Sequence, residues 1–198
     1  MMGLGMCKIL PGLYVGSYRD VHDNNQLKKN GITHILAVHD NSRPLHDHMV
    51  YKCIECMDTP QQDISQHFRE CINFIHRSRI NDGSVLVHCL AGVSRSVTIV
   101  LAYLITVTDM KWEDALKAVR ASRTQANPNL GFRRQLQIYT ETMLAETKKE
   151  LRESYPDYEP TNDSKELDIL LEKGKNMKQY MDDDDRVFTF PIDAYKND

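Results

Sequence analysis

Residues 84 to 104 constrain the fold of this chain more than any other stretch. An apolar run, Ser84-Val85-Leu86-Val87, leads into His88-Cys89-Leu90-Ala91-Gly92-Val93-Ser94-Arg95-Ser96. A second apolar run, Val97-Thr98-Ile99-Val100-Leu101-Ala102-Tyr103-Leu104, follows with no charged residue. The short β-branched run predicts a buried strand and the longer one a buried helix. A cysteine at a strand end, a loop of small residues and an arginine at a helix start form a phosphate-binding site with its own nucleophile. Backbone N–H groups of Leu90, Ala91, Gly92, Val93, Ser94 and Arg95 can turn inward around an anion. The following helix aims its positive N-terminal end at the same point.

The rest of the chain alternates in the same way. Lys8 to Ser17 reads as two short strands joined at Pro11-Gly12, and Asp20 to Asn30 as a helix ended by Asn30-Gly31. Thr33 to Val38 and Tyr51 to Cys56 are predicted strands, separated from the next helix by the polar loop Asp58 to Asp63. Ile64 to Ile80 is an amphipathic helix with Phe68, Cys71, Ile72 and Ile75 at helical spacing. Lys111 to Ser122 predicts another, with Trp112, Ala115, Leu116 and Val119 inward, and Phe132 to about Glu150 a long last helix. Alternating strands and helices predict an α/β fold: a central, mostly parallel twisted sheet flanked by helices. In such sheets ligands bind beyond the carboxyl ends of strands, where Cys89 lies.

One domain over residues 6–150 fits the usual size. Residues 151–198 read as an acidic, solvated tail, with a candidate helix over Ser164 to Met181 (Leu167, Leu170 and Leu171 on one face) and the acidic run Asp182 to Asp185. A partner-docking peptide is the sharper alternative for that tail. The formal net charge of −3 argues against a nucleic-acid partner. Five cysteines without framework spacing, and no secretory signal in Met1 to Pro11, point to a reducing, cytoplasmic compartment. The longest apolar stretch, Val97 to Val107, falls short of the roughly 18 residues that span a bilayer. It is a core helix.

The loop specifies a reaction. A thiol near a helix N-terminus and an arginine has its pKa lowered, so Cys89 is expected to be a thiolate placed for in-line attack on phosphorus. Arg95 offers a planar fork that matches two phosphate oxygens. Ser96 is placed to hydrogen-bond the sulfur and help it leave, and His88 to brace the loop. The leaving oxygen needs a proton. Asp58, directly after the strand ending at Cys56, is the preferred acid. Asp63 competes, but Asp63-Ile64-Ser65 reads as a helix N-cap.

Val87-His88-Cys89-Leu90-Ala91-Gly92-Val93-Ser94-Arg95-Ser96 closely resembles the signature of the dual-specificity protein phosphatases, a branch of the cysteine-based tyrosine phosphatases. The resemblance spans about Met6 to Leu144. Asp58 to Ile64 resembles that family's general-acid loop. Arg123 with Asn127 to Phe132, then Gln135-Leu136, resembles its C-terminal signature, and implies that Asn129 steadies the phosphate loop. Lys8 to Tyr14, Thr33 to Leu36 and Ala102 to Thr108 resemble the small atypical subgroup tied to JNK and related kinase signalling, whose members carry an N-terminal myristoyl group. A metal-independent phosphatase acting on phosphotyrosine and phosphoserine/threonine in proteins, with no cofactor, is the implied function. Kinases of the MAP-kinase and JNK pathways are implied partners. Initiation at Met2 would expose Gly3 for acylation, with Cys7 where Ser or Thr is favoured, whereas initiation at Met1 removes that site. One acyl chain gives only weak association, here with the inner face of the plasma membrane.

Two alternatives remain from sequence. A phosphoinositide or RNA 5′ phosphatase of the same fold would carry basic residues within the loop, and residues 90–94 have none. A non-catalytic phosphoprotein-binding adaptor would lack Cys89, Asp58 or Arg95. Cys53 and Cys56 (C-x-x-C) lack a second pair at metal-ligand spacing and read as packing, with capture of an oxidised Cys89 as the sharper alternative. His39, His46 and His48 flank an exposed loop, where Arg43 is a candidate second phosphate contact.

Overall fold

The computed structural model describes residues 5–178; Gly3 and the acidic run Asp182 to Asp185 lie outside them. Five strands form one sheet: β1 (Cys7–Leu10), β2 (Leu13–Ser17), β3 (His34–Val38), β4 (Val50–Ile54) and β5 (Val85–Cys89). The strand order is β1-β2-β5-β3-β4. Only β1 runs antiparallel, hairpinned to β2 through Pro11-Gly12, so the sheet is mostly parallel, as the alternating pattern predicts. Strand β5 sits at the centre, flanked by β2 and β3. Side chains alternate across the sheet. Val85 and Val87 enter the main core with Leu13, Val15, Leu36 and Val38, while Leu86 and Ile35 face a smaller core with Val21, Leu27 and Ile32.

Helix α4 (Arg95–Val107) is buried along its whole length, in keeping with the uncharged, largely apolar run that follows Ser96. It leaves the end of β5 through the Cys89 loop. Helices α3 (Phe68–Ile80), α5 (Trp112–Ser122) and α6 (Leu130–Thr142) enclose it. Trp112 is buried as expected, with Nε1 donating to Gln137 Oε1 at 2.8 Å.

Several boundaries differ from the sequence reading, each for a local reason. The helix expected over Asp20 to Asn30 is two: α1 (Tyr18–Val21) and α2 (Asn24–Lys29). Asp23 interrupts it by accepting from the backbone N–H groups of Asn25 and Gln26 at 3.1 and 3.0 Å, which starts a new helix. The helix expected from Ile64 opens with a 3-10 turn, Ser65–His67, before α3. The long helix expected over Phe132 to Glu150 divides at Met143 into α6 and α7 (Leu144–Ser154). Just before the break, the hydroxyls of Thr140 and Thr142 donate to carbonyls four residues back at 2.8 and 2.7 Å, a pattern that bends helices.

The largest correction concerns the C-terminal region. The solvated tail expected after residue 150 is instead packed as far as the structure describes it. Helix α8 (Thr161–Lys178) lies along α5, and its Leu167 is completely buried. Leucine spacing predicts the helix, but not the surface that receives it. Its anchor is a buried ion pair. Arg79 of α3 donates through Nη1 and Nη2 to the two carboxylate oxygens of Asp163 at 2.7 and 2.8 Å, and Nη1 also reaches Tyr103 OH at 2.7 Å. Tyr158 OH donates to the same carboxylate at 2.5 Å.

Breaking a buried pair strands the remaining charge, so Asp163→Ala should cost about 3 kcal/mol in urea unfolding. Burial would push the Asp163 carboxyl up, but hydrogen bonds and charge from Arg79, with the Tyr158 hydroxyl, outweigh it and hold the group below its ordinary value. A depressed folded pKa gives stabilisation that is complete above the ordinary carboxylate range and lost as pH falls through the lowered value. The acid-labile part of the stability should therefore shrink in Asp163→Ala.

Candidate active site

The stretch after β5 closes into a loop whose carbonyls are all held on the outside. Tyr18 N–H donates to Leu90 O at 3.1 Å, and Asn127 N–H to Val93 O at 2.8 Å. Between them, Arg123 donates through Nη2 to Ala91 O at 3.1 Å and through Nε to Gly92 O at 2.5 Å. A trans peptide points its N–H opposite to its C=O, and no peptide bond among the described residues is cis. The N–H groups of Ala91, Gly92, Val93 and Ser94 therefore face the inside of the loop, forming an anion-binding nest at the start of α4. Gly92 is required there. Its φ is +67°, and a Cβ would come within 2.4 Å of Gly16 O.

Cys89 sits at the centre of this nest, buried. Gly92 N–H donates to its Sγ at 3.2 Å, and the Ser96 hydroxyl lies 3.3 Å from the sulfur. His88 points away from the nest. Its ring lies beside that of His39, tilted by 47° with centroids 5.6 Å apart, and Nδ1 lies 3.4 Å from Cys89 O. Burial, opposed only in part by that backbone contact, pulls His88 down to about 4. It is neutral at neutral pH, and its buried Nε2 has no hydrogen-bond partner among the described residues.

Arg95 begins α4 and is almost wholly buried. Nη1 donates to Cys56 O at 2.9 Å and reaches Asp40 Oδ1 at 3.3 Å. Nε stands 3.5 Å from Asp58 Oδ2, a charge contact rather than a hydrogen bond, so this buried donor has no acceptor among the described residues. Such a donor is available to a phosphoryl oxygen.

Asp58 and Asp63 are separated by their partners. Asp58 Oδ1 accepts from Ser94 Oγ at 2.7 Å and from Asn129 Nδ2 at 2.9 Å, which ties the acid loop to the phosphate loop. Asp63 Oδ1 accepts from Ser65 Oγ at 2.7 Å and from Gln66 N–H at 3.2 Å, as a residue capping the turn that precedes α3 does. Asn129 joins three elements. Its N–H donates to Ser94 Oγ at 3.2 Å, its Nδ2 holds Asp58, and its Oδ1 caps α6 by accepting from Phe132 N–H at 3.0 Å. Farther along α6, Gln135 Oε1 accepts from Ile64 and Ser65 N–H at 2.8 and 3.0 Å, and Nε2 donates to Gln62 O at 2.8 Å. Gly131 lets α6 approach this closely, since a Cβ there would overlap Pro60 O.

Three residues gain a place here that sequence patterning did not assign. Arg123 stood only within a resembling signature, yet its side chain holds the loop. Gln135 likewise braces the acid loop. Asp40, in a segment read as an exposed loop, touches Arg95, and its own backbone N–H, with the Arg95 guanidinium, keeps its carboxyl below the ordinary range. The candidate phosphate contact Arg43 is exposed and has no hydrogen bond or ion pair among the described residues. Cys53 is half-buried on β4 and Cys56 is buried just past its end; burial, which Arg95 partly opposes, pushes the Cys56 thiol up to about 11. Among the described residues no group of three His, Cys, Asp or Glu side chains is placed to hold a metal ion, and no helix is long and apolar enough to cross a membrane.

A thiol inside a ring of inward amides, with a buried arginine beside it at the end of a parallel strand, defines a cysteine-based phosphatase. Residues 13–142 match the family described as "Dual specificity phosphatase, catalytic domain". The chain belongs to that family and is a dual-specificity protein-tyrosine/serine/threonine phosphatase acting on phosphorylated proteins. It is 52% identical over 170 residues to dual specificity protein phosphatase 22 of Mus musculus, covering 86% of this chain and 92% of the relative. To dual specificity protein phosphatase 15 of Mus musculus it is 46% identical over 170 residues, covering 86% and 72%. A crystal structure of DUSP15 superposes with a TM-score of 0.75 at 48% identity, covering 77% of this chain and 98% of that one.

Proposed function

We propose that Cys89 is the nucleophile of this phosphatase and Asp58 its general acid, with Arg95, Ser96 and Asn129 in supporting parts. The Cys89 sulfur attacks phosphorus in line, an S–P bond forms, and the bond to the leaving oxygen breaks while Asp58 gives that oxygen a proton. The amides of residues 90–95 and the Arg95 guanidinium take up charge on the equatorial oxygens. Water then attacks the cysteinyl-phosphate, Asp58 recovers a proton from it, and the sulfur leaves with a hydrogen bond from Ser96. His88 and Asn129 hold the loop and the acid in register. The observation that carries this reading is the shared anchor. Ser94, inside the phosphate loop, donates to Asp58, so the acid and the nucleophile's loop are one hydrogen-bonded unit.

The charge on the phosphoryl oxygens is met by Arg95 and backbone dipoles, so turnover should persist with a chelator present. Residues 90–94 are uncharged, which favours a phosphoprotein over the polyanionic substrates that a basic loop suits. The enzyme works in the cytoplasm on phosphoproteins of kinase signalling, MAP-kinase and JNK-type kinases among them, in keeping with the subgroup it resembles. If Gly3 is acylated, weak peripheral membrane association is added.

Leaving-group dependence tests the acid. Asp58→Asn should lower kcat on phosphotyrosine peptide by about 100-fold, within the range of general acid catalysis. The loss should be much smaller on an aryl phosphate with a very acidic leaving group, which needs no proton. Equal losses on the two substrates would reassign the acid, with Asp63 next in line.

A further inference from the structure

The four outer hydrogen bonds that set the amide nest are unequal in kind. Those at Leu90 O and Val93 O come from main-chain N–H groups, of Tyr18 and Asn127. Those at Ala91 O and Gly92 O both come from one side chain, Arg123, which lies at the end of α5 and is completely buried. Its remaining nitrogen, Nη1, donates to Gly5 O at 3.3 Å and Cys7 Sγ at 3.7 Å. A buried guanidinium that rests on carbonyl dipoles and a thiol is a costly way to fill space, since an apolar side chain of that size would avoid the desolvation.

We propose that Arg123 is a positioning residue of the phosphate loop: it holds the Ala91 and Gly92 carbonyls outward and thereby turns the Gly92 and Val93 amides toward Cys89 and the phosphoryl group. The proposal rests on reading the Cys89 loop as the phosphate site. The peptide plane transmits the effect. With Ala91 O fixed on Nη2, the other end of that peptide places Gly92 N–H on Cys89 Sγ at 3.2 Å. With Gly92 O fixed on Nε, Val93 N–H is set on the same inner side. Gly92 makes this junction soft, because a residue without Cβ flips its flanking peptides easily. The fork geometry matters as well. Two nitrogens of one rigid plane hold two successive carbonyls, which a lysine ammonium holds less well. The same guanidinium binds Gly5 and Cys7, so the start of β1 and the loop share one anchor.

The test compares Arg123→Met and Arg123→Lys with the wild type, by tungstate affinity, kcat and KM on an aryl phosphate, Cys89 alkylation by iodoacetamide, and Tm. Loss of an outer-shell orienter should weaken tungstate binding and kcat/KM in Arg123→Met by about 10- to 100-fold. Arg123→Lys should recover part of both. Cys89 alkylation should slow in step, because Gly92 N–H no longer points at the sulfur. Methionine and lysine variants that bind tungstate as tightly as the wild type, with any activity loss following Tm alone, would overturn the proposal. The wild type supplies a check that survives misfolding of the variants. The Arg123 Nε–H resonance should be distinct and slowly exchanging with and without tungstate, and an Nε–H that exchanges like a free guanidinium would also overturn it. A wild type that fails to bind tungstate would instead remove the reading of the loop as a phosphate site.

Discussion

Cys89→Ser should abolish turnover on every phosphorylated substrate while leaving the phosphate site able to bind. The hydroxyl that replaces the thiol is a far weaker nucleophile at neutral pH. Removing the nucleophile of such a site costs at least about ten-thousand-fold in kcat. The inward amides and Arg95 do not depend on the sulfur: the carbonyls of Leu90 to Val93 stay held by Tyr18, Arg123 and Asn127. Tungstate or phosphopeptide should therefore bind the variant with near wild-type affinity by calorimetry. Wild-type turnover in Cys89→Ser would refute the mechanism outright. Loss of binding together with turnover would show that the sulfur helps to shape the nest.

Arg95→Lys should be nearly as damaging, for a geometric reason. The Arg95 guanidinium spans Cys56 O, Asp40 and Asp58 and still keeps Nε as a buried donor. A lysine ammonium has no second arm in that plane, and cannot hold Cys56 O while it meets two phosphoryl oxygens. Arginines that stabilise a transferring phosphoryl group contribute about a thousand-fold or more to rate, or about 4 kcal/mol of transition-state stabilisation. A fall of about that size in kcat, with a smaller change in KM, is the result expected of Arg95→Lys in steady-state assays. A change confined to KM would mean that Arg95 binds the ground state and transition state equally. The nearby Asp40 separates the two residues' parts: Asp40→Asn should leave Arg95 on Cys56 O and change turnover far less.

The parts legible in the sequence are those written into neighbouring residues. Residues 84–104 announce a strand, a tight loop and a buried helix, because strand and helix differ in period and because Cys89, Gly92 and Arg95 have few other uses in that order. Asp58 stands out in the sequence because it opens a polar loop after a strand, although β4 ends at Ile54, while Asp63 carries the signs of a cap. The breaks at Asp23 and Met143 were missed because side-chain hydrogen bonds to nearby backbone compete with an otherwise helical pattern. The packing of α8 was missed for a different reason. Its leucines predict an amphipathic helix, but Asp163 and Arg79 stand 84 residues apart, and nothing local marks Asp163 as the carboxylate that is buried and paired with a distant arginine.

Local periodicity carries the class of fold, and a cysteine and an arginine on one loop carry the proposed chemistry. The contacts that join distant residues to that loop come from three-dimensional packing. Asp58 meets Ser94 across 36 residues and Asn129 across 71, and Arg123 meets Gly92 across 31. Such meetings depend on sheet order and helix packing, which bring chain ends of unrelated local pattern to one point. No period or spacing in the chain records them.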